Sequence, residues 1–368
     1  MRDDVIAIDA SRAGTGARTG TEWYSFDVIR AMIALSERPP LTLYHRFAPN
    51  TALDGPRVHH ALIERRRLWT HLGLSMAMRR DRPAALFVPS HVIPMIHPPA
   101  SVVTVHDLGF LPEPEAHPPG TRRMLNLTTR WNARVARRVI AISGQTRDDL
   151  VQRYGVDPDK ISVVHSGLDH ARFRVIDRAD VLKVTLRHGI DGPYVFFLST
   201  VQPRKNVVRL VEAFEALDDP ELTLVIAGAA GWLSARIEDR IANSPVSTHI
   251  RRLGHVADAD VPALYNGARV FALPSLYEGF GMGVLEAMAC GCPVVTSNRS
   301  SLPEVAGDAA ILVDPFDVAS IRDGILRALS EPERKQLIGA GLARAQAFSW
   351  ERTASWTLAV IDRARNDN

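Results

Sequence analysis

Residues 269–298 read "RVFALPSLYEGFGMGVLEAMACGCPVVTSN". An apolar run, "RVFALP", gives way to a loop loosened by Gly279, Gly281 and Gly283. A helical pattern starts around Gly281 to Gly283, and a second apolar run, "PVVTSN", follows. Both runs are too continuously apolar for half-exposed antiparallel strands, so they predict parallel strands covered by helices on both faces. The alternation repeats along the chain. "VIAIDA", "LTLYHRF", "ALFVP", "SVVTVH", "RVIAIS" and "ISVVHS" form one series, and "YVFFLS", "LTLVIAG", "HIRRLG" and "AAILV" complete a second. Two such series predict an α/β protein of two doubly wound, Rossmann-like domains that join near residues 166–192.

At 368 residues the chain can bury two cores of ordinary size, and 46% apolar with 23% charged residues fits a globular protein. No apolar run approaches the ~18 residues of a membrane span, and "MRDDVIAIDA" does not resemble a secretion signal. Cys290 and Cys292 flank Gly291, too few and too close for a zinc site or a disulfide framework. They are expected to be inert packing in a reducing cytoplasm. Residues 1–180 carry 25 Lys/Arg against 19 Asp/Glu, and residues 181–368 carry 19 against 22. A basic first half and a mildly acidic second half point to different partners for each.

Ligands of such sheets bind beyond the carboxyl ends of the strands, so the loops there are where chemistry is expected. "YVFFLS" is followed by "TVQPRKNVVRLVEAF", where Arg204 and Lys205 precede a helix that Asn206 can cap. Two cations beside a helix N-terminus suit a phosphate or diphosphate, whereas the same pair elsewhere would be a solvated face. Glu278 and Glu286 bracket the glycine loop. As a glycosidase pair they would need a fixed separation of ~5–9.5 Å, which this spacing does not set. Separate jobs on one elongated ligand fit better, since carboxylates suit sugar hydroxyls.

These stretches resemble the retaining glycosyltransferases of family 4. "EGFGMGVLE" is similar to that family's E-x7-E motif, "QPRKN" to its phosphate loop, and "LGHVADADVPALYNGA" to its nucleotide-base segment. The resemblance covers nearly the whole chain and lies nearest the bacterial mannosyltransferase-like branch that builds O-antigen and other surface polysaccharides. It implies the GT-B fold, with two Rossmann-like domains facing an interdomain cleft. Residues 1–178 would form the acceptor side, residues 179–349 the donor side, and a last helix over 350–368 would pack back on the first domain. Carried over, it implies that Arg204 and Lys205, with Asn206 beside them, hold the donor diphosphate. Glu278, with the backbone of Phe280 and Gly281 and neighbouring Met282, would contact the donor sugar. Glu286 would accept the ribose hydroxyls, and the backbone near Gly254 and His255 would touch the base.

In the first half, "VIAIDASRAGTGARTGTEWYSFDVIRAM" places Gly14, Gly16 and Gly20 between a strand and a helix. Their spacing is no G-x-G-x-x-G, which leaves little support for a nicotinamide oxidoreductase. The resemblance makes Gly20 the position of backbone approach to the donor. It departs at Glu22 and Trp23, where many relatives continue Gly-Arg-Tyr. His106 and Asp107 end the strand "SVVTVH". A histidine there lies near the reacting carbon and the acceptor in the family, with Asp107 orienting its ring or meeting the acceptor. The D-x-D pairs, Asp157/Asp159 and Asp258/Asp260, read as a loop and a helix start rather than a metal site, so neither metal nor cofactor is expected.

Two basic stretches remain. Residues 65–80, with Trp69 and methionines, read as contact with an anionic membrane surface or a lipid-linked acceptor. Residues 121–139 place Met124, Leu127, Trp131 and Val135 on one helical stripe beside Arg123, Arg130, Arg134 and Arg137, which suits sheet packing as well as a membrane. The function expected is transfer of a hexose, mannose from GDP-mannose being favoured over rhamnose, glucose or N-acetylated sugars by the branch alone. The acceptor would be a glycan or lipid-linked glycan at the cytoplasmic face of the inner membrane. A non-catalytic subunit that binds a nucleotide or glycan is the alternative. For the enzyme, Lys205→Ala is expected to lose most turnover while the fold survives.

Overall fold

The computed structural model describes residues 2–14, 20–65, 67–90, 92–116 and 118–367. Gly16 and Arg66 lie outside them. The chain divides into two compact units. The first comprises residues 1–108, 123–167 and 348–368, and the second residues 109–122 and 168–347.

The first sheet is built from β1 (Arg2–Asp9), β2 (Leu41–His45), β3 (Val58–Leu62), β4 (Pro83–Val88), β5 (Ser101–Val105), β6 (Arg138–Ala141) and β7 (Ile161–Val163). All are parallel, in the order β3-β2-β1-β4-β5-β6-β7. Between them run α1 (Gly20–Ala34), α2 (Ser75–Asp81), α3 (Pro119–Val135) and α4 (Gly144–Tyr154). Ile6, Ile8, Leu86, Phe87, Val102 and Val103 are fully buried, as continuously apolar strands between two helical layers must be. β3 is the strand that periodicity did not announce. "VHHAL" is short and lies at the sheet edge, where a half-exposed face tolerates two histidines.

The second unit follows with α5 (Arg178–Arg187), β8 (Tyr194–Leu198), α6 (Val207–Glu215), β9 (Thr223–Ala227), α7 (Ala235–Ala242), β10 (Ile250–Gly254), α8 (Val261–Gly267) and β11 (Val270–Leu273). Then come α9 (Met282–Ala289), β12 (Val294–Ser297), α10 (Leu302–Ala306), β13 (Ile311–Val313), α11 (Val318–Leu329) and α12 (Glu331–Ala345). Its parallel sheet runs β10-β9-β8-β11-β12-β13. The order reverses between β8 and β11, which makes the loops after those two strands the walls of the switch-point crevice.

The last helix, α13 (Trp350–Asn366), belongs to the first unit and packs on α1, β4, β5 and β6. Ser349 Oγ accepts from Arg352 N and caps it. A Cβ on Gly167 would fall 2.3 Å from Trp350 N, so only glycine lets the two backbones approach this closely. At the other end Arg138 Nη2 donates to Asp367 Oδ1 at 2.8 Å. Among the described residues no helix is long and apolar enough to cross a membrane.

Candidate functional site

The loops after β8 and β11 converge on one buried cluster. The segment Pro203–Lys205 forms a single 3-10 turn whose proline starts it. Lys205 is buried, and its Nζ donates to both oxygens of Glu278, at 2.6 and 2.8 Å. Ser275 Oγ donates to Glu278 Oε1 at 2.7 Å, and Arg204 Nη1 stands 3.8 Å from Oε2. Arg204 also donates to the Tyr277 carbonyl at 2.9 Å, and Leu276 N donates to the Arg204 carbonyl at 2.9 Å. Burial pushes the Glu278 carboxyl up, but the Lys205 and Arg204 charges and two hydrogen bonds outweigh it and hold it below its usual range. Glu278 is therefore an anion, bonded to Lys205 and close to Arg204.

Serines from the loop after β12 fix the Glu278 backbone. Glu278 N donates to Ser300 Oγ at 3.0 Å, while Ser301 Oγ donates to the carbonyls of Glu278 and Phe280 at 2.9 and 3.0 Å. Phe280 is buried. Gly281 then adopts φ +101°, and α9 starts at Met282. Glu286, four residues into α9, faces elsewhere. Tyr265 Oη donates to its Oε2 at 3.0 Å, and burial raises its carboxyl against the pull of that bond and of Arg172. The eight-residue spacing thus separates the two glutamates, one onto cations and one onto a phenol backed by Phe196 and Phe271.

Asn206 departs from the expected cap. It sits before α6 at φ +60°, and its side chain does not bond the helix. Its Nδ2 donates instead to the carbonyls of Pro274 and Pro315, at 2.9 and 2.6 Å, tying the loops after β11 and β13 together. The left-handed backbone turns the amide away from the free N–H groups of α6. Arg209 Nη1 donates to Asn206 Oδ1 at 3.0 Å, and Arg209 and Arg299 flank the Phe316 ring at 5.5 and 5.1 Å. Glu113, from the segment that joins this unit, is raised by burial against the pull of Arg299, Arg204 and Arg209. Gly254 ends β10 at φ +67° and His255 beside it is exposed, away from the Glu278 cluster in sequence and contacts.

In the first unit, Gly20 opens α1, and a Cβ there would meet nothing within 4 Å. His106 Nε2 donates to the Pro89 carbonyl at 2.9 Å, and its ring meets Tyr24 edge-on at 4.8 Å. Burial lowers its pKa despite that bond and Asp107, which keeps the imidazole neutral. Trp69 is only 4% exposed and lies inside a π-helical turn over Trp69–Leu74. Among the described residues of 65–80, the exposed large apolar side chains are Leu68 and Met76, each 64% exposed, and Leu72 at 38%.

Three contributors to the Glu278 cluster escaped sequence reading, as did one buried carboxylate in the first unit. Ser275, Ser300 and Ser301 follow strands, and the strand-end rule applied to every loop would have reached them. Asp9, the last residue of β1, is buried with Oδ1 accepting from Ser11 N at 2.9 Å and Oδ2 unpartnered among the described residues. Burial lifts its pKa to about 6. Of the D-x-D pairs, Asp157 caps a turn by accepting from Asp159 N, and Asp260 pairs with Arg187 and His188. Among the described residues no group of three or more His, Cys, Asp or Glu is arranged to hold a metal. Cys290 and Cys292 are free and buried, and burial raises both thiols, Cys290 to about 12.

Two doubly wound parallel sheets, the second with a cation pair and a carboxylate at its switch point, are the architecture of GT-B glycosyltransferases. The structure superposes on sucrose-phosphate synthase from Thermosynechococcus elongatus with a TM-score of 0.78 at 20% identity, over 98% of each chain. An Anabaena protein solved with UDP and glucose gives 0.75 at 17% identity, covering 98% of this chain and 99% of that one.

The chain belongs to glycosyltransferase family 4. Residues 183–342 match the family described as Glycosyl transferases group 1 and residues 24–172 that described as Glycosyltransferase Family 4. The chain is 33% identical over 263 residues to O-antigen chain mannosyltransferase B of Escherichia coli, across 70% of this chain and 69% of that one. It spans 59% and 64% of the length of two D-inositol 3-phosphate glycosyltransferases at 30% and 32% identity.

Proposed function

We propose that this glycosyltransferase moves a mannosyl group from GDP-mannose to a glycan or lipid-linked glycan acceptor, with retention at the anomeric carbon and without a metal. The observation that carries the reading is the cluster of Arg204, Lys205 and Glu278 at the switch point of the second sheet. Arg204 and Lys205, with the free amides at the start of α9, would stabilise the departing diphosphate. The bond from the anomeric carbon to the diphosphate breaks as the acceptor oxygen bonds the same face of that carbon. The acceptor proton passes to the released diphosphate. Side chains supply the charge that a metal would otherwise bring.

In this reading Glu278, held by Lys205 and Ser275, meets the sugar hydroxyls together with the Phe280–Met282 backbone. Glu286 takes the ribose hydroxyls, and the Gly254–His255 backbone takes the base. Gly20 approaches the donor, while His106 and Asp107 attend the acceptor. Likeness to an O-antigen mannosyltransferase supports mannose, and a neighbour solved with UDP and glucose supports a nucleotide-sugar site. Leu68, Leu72 and Met76 beside Arg79 and Arg80 support peripheral contact with an anionic inner-membrane face, with Trp69 packed beneath.

The test is thermal stabilisation by GDP, UDP, dTDP and their sugar conjugates. A ligand at 100 times its dissociation constant adds about 2.7 kcal/mol. The expected result is a shift with GDP and GDP-mannose alone. A shift with another base would replace the donor, and none at all would return the non-catalytic subunit.

A further inference from the structure

A second concave site lies in the first unit, at the amino ends of its strands. A pocket of about 530 Å³ opens there, lined by Arg130, Arg134, Arg153, Tyr154, Asp157 and Lys160 among others. The last turns of α3 bring Arg130 and Arg134, and that helix leads into the first residue of β6. The end of α4 brings Arg153 and Tyr154, and the turn that enters β7 brings Asp157 and Lys160. Gly20 and His106 follow the carboxyl ends of β1 and β5. In a parallel sheet those are the opposite end, so this pocket is separate from the face where GT-B ligands are expected.

Four cationic residues line the pocket against one carboxylate, which also accepts a backbone hydrogen bond. Asp157 Oδ1 accepts from Asp159 N at 3.0 Å. Among the described residues Arg130 and Arg134 form no ion pair, and Arg153 reaches Asp149 only at 4.0 Å. Neighbouring surface arginines contrast with them, since Arg138 pairs with Asp367, Arg365 with Asp4 and Arg147 with Asp148. The pocket wall is also braced. Tyr154 Oη donates to Asn126 Oδ1 at 2.7 Å, and Lys160 Nζ donates to the carbonyls of Ala133 and Arg134 at 2.7 and 3.2 Å. The Arg130 guanidinium lies over the Tyr154 ring at 5.7 Å. A solvated basic face is convex and scattered, whereas these three arginines line one concavity, which concentrates their field on an anion. Planar guanidinium forks match phosphate oxygens two at a time.

We propose that this pocket is a second anion site, taking a ligand with one or two phosphate groups held by Arg130, Arg134 and Arg153. The phosphate can arrive on a soluble molecule or as a lipid headgroup. Met124 and Leu127, each 58% exposed, stand on α3 within two turns of Arg130 and give a lipid chain an apolar track. The proposal stands independently of the sugar transferred.

The test uses the full chain carrying Arg204→Ala, which weakens anion binding at the candidate donor site. Inorganic diphosphate is titrated by calorimetry before and after adding Arg130→Ala with Arg134→Ala. In parallel, the proteins are sedimented with vesicles of phosphatidylglycerol in phosphatidylcholine and of phosphatidylcholine alone. Charge-assisted bonds of this kind predict at least a tenfold loss of affinity. Loss of diphosphate binding on substitution identifies a soluble phosphate ligand. Loss of phosphatidylglycerol binding without any diphosphate titration identifies a headgroup. Binding that is absent in both arms, or untouched by the substitutions, overturns the proposal. Melting without ligand checks the fold, and Arg153→Ala serves as the second variant should the pair fail to fold.

Discussion

Lys205 and Glu278 stand 73 positions apart in sequence and share two hydrogen bonds in a buried site. Removing one partner of such a pair costs about 3–5 kcal/mol, because the other charge is left uncompensated. Lys205→Ala is therefore expected to lower the melting temperature as well as reduce turnover about 100–1,000-fold, with the fold surviving at reduced stability. Adding Glu278→Gln should restore the melting temperature and leave turnover lost. An unchanged melting temperature in the single variant would contradict the buried pair. Asp9 presents the reverse case. Its carboxyl is raised from 3.8 to about 6, so the folded chain holds the proton more tightly than the unfolded one. Stability then falls as pH rises through that window, by about 3 kcal/mol at most, and stays lower above it. Asp9→Asn keeps an acceptor for Ser11 N and should raise the melting temperature at pH 7–8 but not near pH 4. At this scale the sequence exposed residue types and their strand-end positions. The pairing of Lys205 with Glu278, and the unpartnered oxygen of Asp9, are set by side chains that no motif brings together.

Gly281 carries a demand that belongs to the loop and helix around it. Its φ of +101° disfavours any L side chain, and a Cβ would stand 2.6 Å from Leu302 Cδ2 on α10. Gly281→Ala should cost on the order of 1–3 kcal/mol in denaturant unfolding and weaken nucleotide binding by displacing the start of α9. Equal stability and affinity would show that the loop relaxes freely. The elements themselves were legible wherever burial is two-sided, since strands such as β8 and β11 must be apolar throughout. β3 was not, because an edge strand carrying His59 and His60 has no such pattern. Nor was the work of Asn206, whose two carbonyl partners lie 68 and 109 residues away. A local reading could see only the helix beside it.

The first unit is closed by a helix that the chain supplies last. Thr353, Ala354, Thr357, Leu358 and Ile361 are buried on the inner face of α13. Deleting residues 348–368 should abolish the first unit's melting transition in calorimetry, while nucleotide affinity in the second unit persists. Loss of both would mean that the second unit cannot stand without the first. The same feature sets an order of events at the ribosome. The first sheet is complete at β7, but its covering helix emerges about 190 residues later, which at ~5–20 residues per second is a wait of roughly 10–40 s. The second unit, continuous from Leu168 to Ala347 apart from one short segment, is finished in the interval. The domain synthesised first is thus the one sealed last, and through that wait its α1 face is apolar surface for a chaperone to shield.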